Sequence, residues 1–254
     1  MFSSYAAAAR RCAGLLALAT GLFGAPAFSA SLQVSPITVE LQARQNAEGL
    51  WLSNSGSQPL QAQVRIYAWV QENGEDVLKP TNDMVVSPPM VTIQPEQRQI
   101  VRLVRVGAGQ AAPAIEQAYR VVIDELPVGG GAEGVKFVLR YSVPIFVAAA
   151  APASAAGGQA ATAPKLDWTL QHGPAGAQLV ARNTGRSRAK LVDASLSGRD
   201  GKKLVLSQGL YGYVLPGSVR HWPLSREAAQ AAKGGTLNLS INEQAASVPL
   251  QSAP

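Results

Sequence analysis

Apolar and polar residues alternate along most of this chain with the period of two that marks half-buried β-strands, and the period of amphipathic helices is nearly absent. The clearest run is 61–70 (QAQVRIYAWV), which places Ala62, Val64, Ile66, Ala68 and Val70 on one side. Asn73-Gly74 follows closely, the strongest short hairpin signal because both residues tolerate positive φ. Further strands are expected over 32–41, where Pro36 marks an edge or a kink, and over 49–54, which runs into the turn Asn54-Ser55-Gly56. Others are expected over 90–93, 99–106, 118–126 and 135–147, with Pro88-Pro89 and Pro95 as separators. That is about seven short strands in roughly 115 residues, the count of an immunoglobulin-like sandwich.

Residues 148–164 (AAAAPASAAGGQAATAP) break this pattern. They carry no charge and consist of Ala, Pro, Gly, Ser, Thr and Gln, the composition of a flexible linker. Beyond them, 165–254 reads as a second, smaller β domain. Short apolar segments at 179–181, 189–196, 204–206, 219–224 and 236–241 are punctuated by glycines, and 226–233 (REAAQAAK) fits one or two helical turns.

The N-terminus differs from both blocks. Arg10-Arg11 precede an apolar run over 13–23, too short to span a bilayer, and Ala25-Pro26-Ala27 is an A-x-A cleavage site with Ala30 as a second option. Residues 1–30 are therefore expected to be a removed signal peptide. Removal lowers the formal charge from +6 to +4 and takes away Cys12, the single cysteine. The exported chain would then be held by core burial alone, without disulfides. No other stretch is long and apolar enough for membrane insertion, so the remainder is expected to be soluble.

Composition also narrows the chemistry. Basic residues exceed acidic ones, 22 to 16, but they are scattered, which argues against nucleic acid as the partner of an exported chain. Two histidines, His172 in the expected loop QHGPAG and His221 in an expected strand, make neither a metal cluster nor a Ser-His-Asp arrangement. Gly129-Gly130-Gly131 lacks the Lys-Ser/Thr of a phosphate loop. Asp124 and Glu125 are adjacent, so in a strand they point to opposite faces and cannot act as an acid–base pair. No enzyme, no metal and no cofactor are expected.

The segment 135–147 (VKFVLRYSVPIFV) carries the most information. Val135, Phe137, Leu139, Tyr141 and Val143 form one apolar row, while Lys136, Val138, Arg140 and Ser142 form a mixed one. Such a strand either lies inside its own sheet or offers its edge to another chain. Exposed apolar edges are normally suppressed because they template aggregation, so keeping one suggests β-augmentation of a partner.

Three stretches, SPPMVTIQPEQRQIVRLVRV (87–106), AYRVVIDELP (118–127) and KFVLRYSVPIFV (136–147), resemble the periplasmic pilus chaperones of the PapD-like, chaperone–usher family. YGYVLPGSVRHWPL (211–224) resembles the second domain of its archaic, or alternative, branch. The resemblance implies an all-β chain of two immunoglobulin-like β-sandwich domains in a boomerang arrangement: 31–147 carrying the donor strand, a linker at 148–164, and 165–254. It implies a periplasmic chaperone that completes pilin subunits by donor-strand complementation and delivers them to an outer-membrane usher for pilus assembly, with self-association of the free chaperone left open. Val135, Phe137, Leu139 and Tyr141 would enter the pilin groove. The pilin's terminal carboxylate would be held by Arg120 first and Arg140 second, since the basic positions of the better-known branch fall here at Thr38 and Pro144. The plain alternative for Arg120 is a structural pair with Asp124 or Glu125. The competing reading of the whole chain is a structural or adhesive β-sandwich protein of the fibre itself.

Overall fold

The structure, a computed structural model, describes residues 32–107, 112–127, 138–151, 163–173 and 176–250. The expected signal peptide, the Gly129–Gly131 loop, most of the expected linker, and Val135 and Phe137 lie outside these residues. The regular structure of the described chain is β-strand apart from one short helix.

The first sandwich holds β1 (Leu32–Ser35), β2 (Val39–Leu41), β3 (Ala47–Asn54), β4 (Leu60–Glu72), β5 (Glu75–Pro80), β6 (Met84–Ser87), β7 (Met90–Ile93), β8 (Arg98–Arg105), β9 (Gln117–Leu126) and β10 (Arg140–Val147). One sheet runs β1-β3-β8-β6; the other runs β2-β10-β9-β4-β5, with β7 also on β4. The extended stretch expected over 32–41 is thus two strands in two sheets: the chain crosses between them at 36–38, and Ile37 is left exposed. Proline at the crossing cannot donate to either ladder. Asn73 and Gly74, with φ of 53° and 82°, make the expected tight turn between β4 and β5.

Alternation decides what is buried. Ala62 and Val64 of β4, Val121 and Ile123 of β9 and Val143, Ile145 and Val147 of β10 face Leu50, Leu52, Val101 and Leu103 of the opposite sheet. A run of this kind, with every second side chain withdrawn from water, stabilises the pair of sheets by roughly 1.5–3 kcal/mol per large residue.

The second sandwich pairs β11 (Leu166–Gly173), β12 (Gly176–Asn183) and β16 (Val219–Pro223) against β13 (Ala189–Ser197), β14 (Lys203–Val205), β15 (Leu210–Val214), β17 (Thr236–Ile241) and β18 (Gln244–Pro249). His172 therefore sits in β11 and not in a loop. One short helix, α1 (Arg226–Ala232), covers an end of this core with Ala228 and Ala232, and the Ser225 side chain caps it by accepting from Ala228 N at 3.1 Å.

Both sandwiches use the same corner. A strand ends in a fully buried asparagine, Asn54 or Asn183, followed by Ser/Thr-Gly. Asn54 Nδ2 donates to Gln58 O and Ile93 O at 2.8 and 3.0 Å, and Asn183 Nδ2 donates to Ser187 O and Val214 O at 2.8 and 2.9 Å. Each side chain ties the end of its strand to two backbone carbonyls across the corner, one of them buried.

Candidate functional site

β10 pairs with β9 along its whole length but with β2 only from Ile145 to Val147. Glu125 N donates to Leu139 O at 2.9 Å, so odd-numbered residues of β10 turn their backbone groups toward β9 and even-numbered ones turn theirs outward. Arg140 and Ser142 thus face a side on which no described strand pairs before β2 begins. That is a short, open strand edge.

The side chains divide the same way. Val143, Ile145 and Val147 are core residues; Leu139 and Tyr141 are half-buried at the margin of the same core and pack against it. The Tyr141 hydroxyl donates to Leu32 O at 2.7 Å, tying this edge to β1 across the mouth of the sandwich. On the other face Val138 and Arg140 are exposed, and Phe146 is buried against the second sandwich.

Of the three arginines on this face, two share one acid. Arg140 and Arg65 both donate to Asp124, whose side chain is 13% exposed, and with Leu139 they line a depression of about 480 Å³. Burial pushes the Asp124 carboxyl up, but the hydrogen bonds from Arg140 and Arg65 outweigh it and hold the group below the usual carboxylate range.

Arg120 is placed differently. It is half-buried, its Cζ lies 3.8 Å over the centre of the Trp69 ring, and Nη1 donates to Ser142 O at 3.2 Å. It pairs with neither Asp124 nor Glu125, and among the described residues it stands in no salt bridge. Burial lowers its pKa, partly offset by Asp76 and Tyr213, and guanidinium remains the charged form. An unpaired cation therefore sits beside the open edge. That combination can accept a foreign strand through backbone bonds and hold an anion at one end of it.

Pattern reading missed the residues beneath Arg120. Trp69 (3% exposed), Phe146 and Tyr213 meet with ring centroids 5.4–5.9 Å apart, and Leu215 joins them. Two of these four come from the second sandwich. The signal was present: Trp69 and Phe146 fall on the faces of β4 and β10 opposite the first core, where a large aromatic requires another layer to cover it. Polar links surround the cluster. Arg188 lies 3.6 Å over Phe146 and pairs with Glu116 (2.6 Å) and Glu40; Gln71 bridges Tyr213 O and Leu215 N; Arg220 donates to Gly74 O at 2.9 Å. Among the described residues there is no group of three or more potential metal ligands, and no helix is long and apolar enough to cross a membrane.

Two tandem immunoglobulin-like sandwiches, the first ending in a half-paired strand, make up the described chain. Residues 31–152 match the family model described as pili and flagellar-assembly chaperone, PapD N-terminal domain. Among solved structures, the chain is similar to the CsuC–CsuE chaperone–tip adhesion subunit pre-assembly complex from archaic chaperone–usher Csu pili of Acinetobacter baumannii: 22% identity, 89% of this chain and 100% of that one, TM-score 0.69. It is similar also to the CupB2 chaperone of Pseudomonas aeruginosa (17% identity, 85% and 96%, TM-score 0.53) and to the SafA pilin–SafB chaperone complex of Salmonella enterica (16%, 88% and 95%, 0.56). Among curated proteins, none matches the chain in sequence.

Proposed function

We propose that this protein is a periplasmic chaperone of the archaic chaperone–usher type. It is exported by residues 1–30, captures pilin subunits on the strand that ends in β10, and passes them to an outer-membrane usher. The observation that carries this reading is the open edge of β10 beside the half-buried guanidinium of Arg120, which donates to Ser142 O but stands in no salt bridge among the described residues. A subunit strand adding to that edge would find outward backbone groups at Arg140 and Ser142 and a bidentate donor for its terminal carboxylate. Arg140 is the lesser candidate for that carboxylate, because Asp124 already holds it. Val135, Phe137 and Leu139, followed by Tyr141, are the side chains proposed to enter the subunit; burying three of them would contribute about 5–9 kcal/mol before ordering costs. The similar complexes from Acinetobacter baumannii and Salmonella enterica pair a chaperone with a tip adhesion subunit and with a pilin, which supports a subunit as the guest here.

The test is co-expression with a fimbrial subunit lacking its last strand. Wild type is expected to hold the subunit in a stable complex. Arg120→Ala is expected to lose most of it, at least about tenfold in affinity, while keeping its own thermal transition. Equal recovery of the subunit by a folded Arg120→Ala protein would overturn the assigned role.

A further inference from the structure

Arg120 is kept available by a specific arrangement beneath it, which the reading of Arg120 as a carboxylate anchor does not by itself require. Asp76 shares an indole with it: Trp69 Nε1 donates to Asp76 Oδ1 while the ring face carries Arg120, and the acid's charge acts on the guanidinium. An acid so placed should collapse onto a half-buried guanidinium, because an unpaired charge there is costly. It does not. Asp76 Oδ1 accepts from Trp69 Nε1 and from Gln71 Nε2, both at 2.9 Å, and Asp76 Oδ2 faces Arg220 Nη2 at 3.4 Å. Two hydrogen-bond donors and one ion pair therefore detain the acid. One of the donors belongs to the same indole whose face carries Arg120 at 3.8 Å. That indole is fixed in turn by Phe146 and by Tyr213 of the second sandwich.

We infer that Trp69 is a positioning residue for carboxylate recognition: its ring face seats the Arg120 guanidinium, and its N–H holds Asp76 away, so that the cation meets the guest's terminus unneutralised. The second domain takes part through Tyr213 and Arg220, which lock the indole and the acid respectively. This inference rests on the Arg120 reading. It adds that removing the indole N–H, with an aromatic ring kept at position 69, is enough to blunt recognition.

The experiment measures binding of a synthetic strand peptide of alternating valine and threonine, once with a free C-terminal carboxylate and once as the C-terminal amide. Wild type is expected to prefer the acid by roughly tenfold to a hundredfold, the range of hydrogen bonds to charged groups. Trp69→Phe is expected to bring that preference to within about threefold, because the released Asp76 turns to Arg120. Trp69→Phe combined with Asp76→Asn is expected to restore it. A role limited to packing would shift both peptides together and leave the ratio intact, and such a result would overturn the inference. Failure of the double variant to restore the ratio would overturn the detention of Asp76. A wild-type ratio near one would overturn the Arg120 reading itself, and the inference with it. Thermal melts accompany each variant; should the Phe variant not fold, Trp69 replaced by 3-benzothienylalanine, which keeps the bicyclic ring and lacks the N–H donor, is measured in its place.

Discussion

Asp124 and Arg120 lie on the same face of β9, four residues apart, and their chemistry is opposite. Asp124 receives two guanidinium groups, and its folded-state pKa is depressed once the hydrogen bonds from Arg140 and Arg65 have overcome burial. A depressed carboxyl contributes stability that is present above its unfolded pKa, about 3.9, and is lost as pH falls through the folded value. Both partners are substantially exposed, 68% for Arg140 and 42% for Arg65, so solvent screening keeps the contribution small. Asp124→Asn is therefore expected to cost on the order of 1 kcal/mol at pH 7. Thermal unfolding followed from pH 7 to about pH 3 checks it. The gap between variant and wild type should close in the acid range, and a constant gap would mean that Asp124 acts by shape alone.

At the level of the strand, the half-paired state of β10 makes a prediction with residue parity. Tyr141 and Val143 give their amides to β9, whereas Arg140 and Ser142 point theirs to the open side. Hydrogen exchange should find the first two protected and the last two near unprotected rates in the free protein, with Arg140 and Ser142 gaining at least about tenfold protection once a subunit strand is added. Equal protection of all four in the free protein would mean that the edge is already covered. Parity of this kind was legible in the alternation of 135–147, as were the strands at 90–93, 99–106 and 118–126. β5 (EDVLKP) and β6 (MVVS) were not, since one is too polar and the other too short to show a period. β11 and β18 escaped for the related reason that neither is apolar enough along one face. Arg120 was legible only through the family resemblance. Nothing in the spacing distinguishes it from Arg140, and the difference, a tryptophan from another strand and an acid held elsewhere, exists only in three dimensions.

A buried charge pair is among the polar contacts that join the two sandwiches. Glu116 has a side chain only 6% exposed; Arg188 of the second sandwich pairs with it, reaches Glu40 and lies over Phe146. Burial raises the Glu116 pKa, and Arg188 is the chief influence opposing it. Arg188→Met keeps much of the stem packed on Phe146 but removes the charged partner of the carboxylate, which retains only the residue-188 backbone N–H at 3.0 Å, a change of up to roughly 3–5 kcal/mol for a buried pair. That loss falls on the contact between the sandwiches and not on either core. Calorimetry is therefore expected to show the second sandwich unfolding at a lower temperature than the first in the variant, and the two together in wild type. The sign with pH follows from the raised pKa. Protonated Glu116 needs no partner, so the defect should be small below the unfolded value of about 4.3 and grow as pH rises through the higher folded value. Because Phe146 and Tyr213 also support Trp69, the same variant should weaken capture of a strand-deficient subunit, although Arg188 is assigned no contact with the guest. A variant that splits the transition yet captures subunits at wild-type yield would separate the domain contact from the anchor. The seat of Arg120 would then belong to the first sandwich alone.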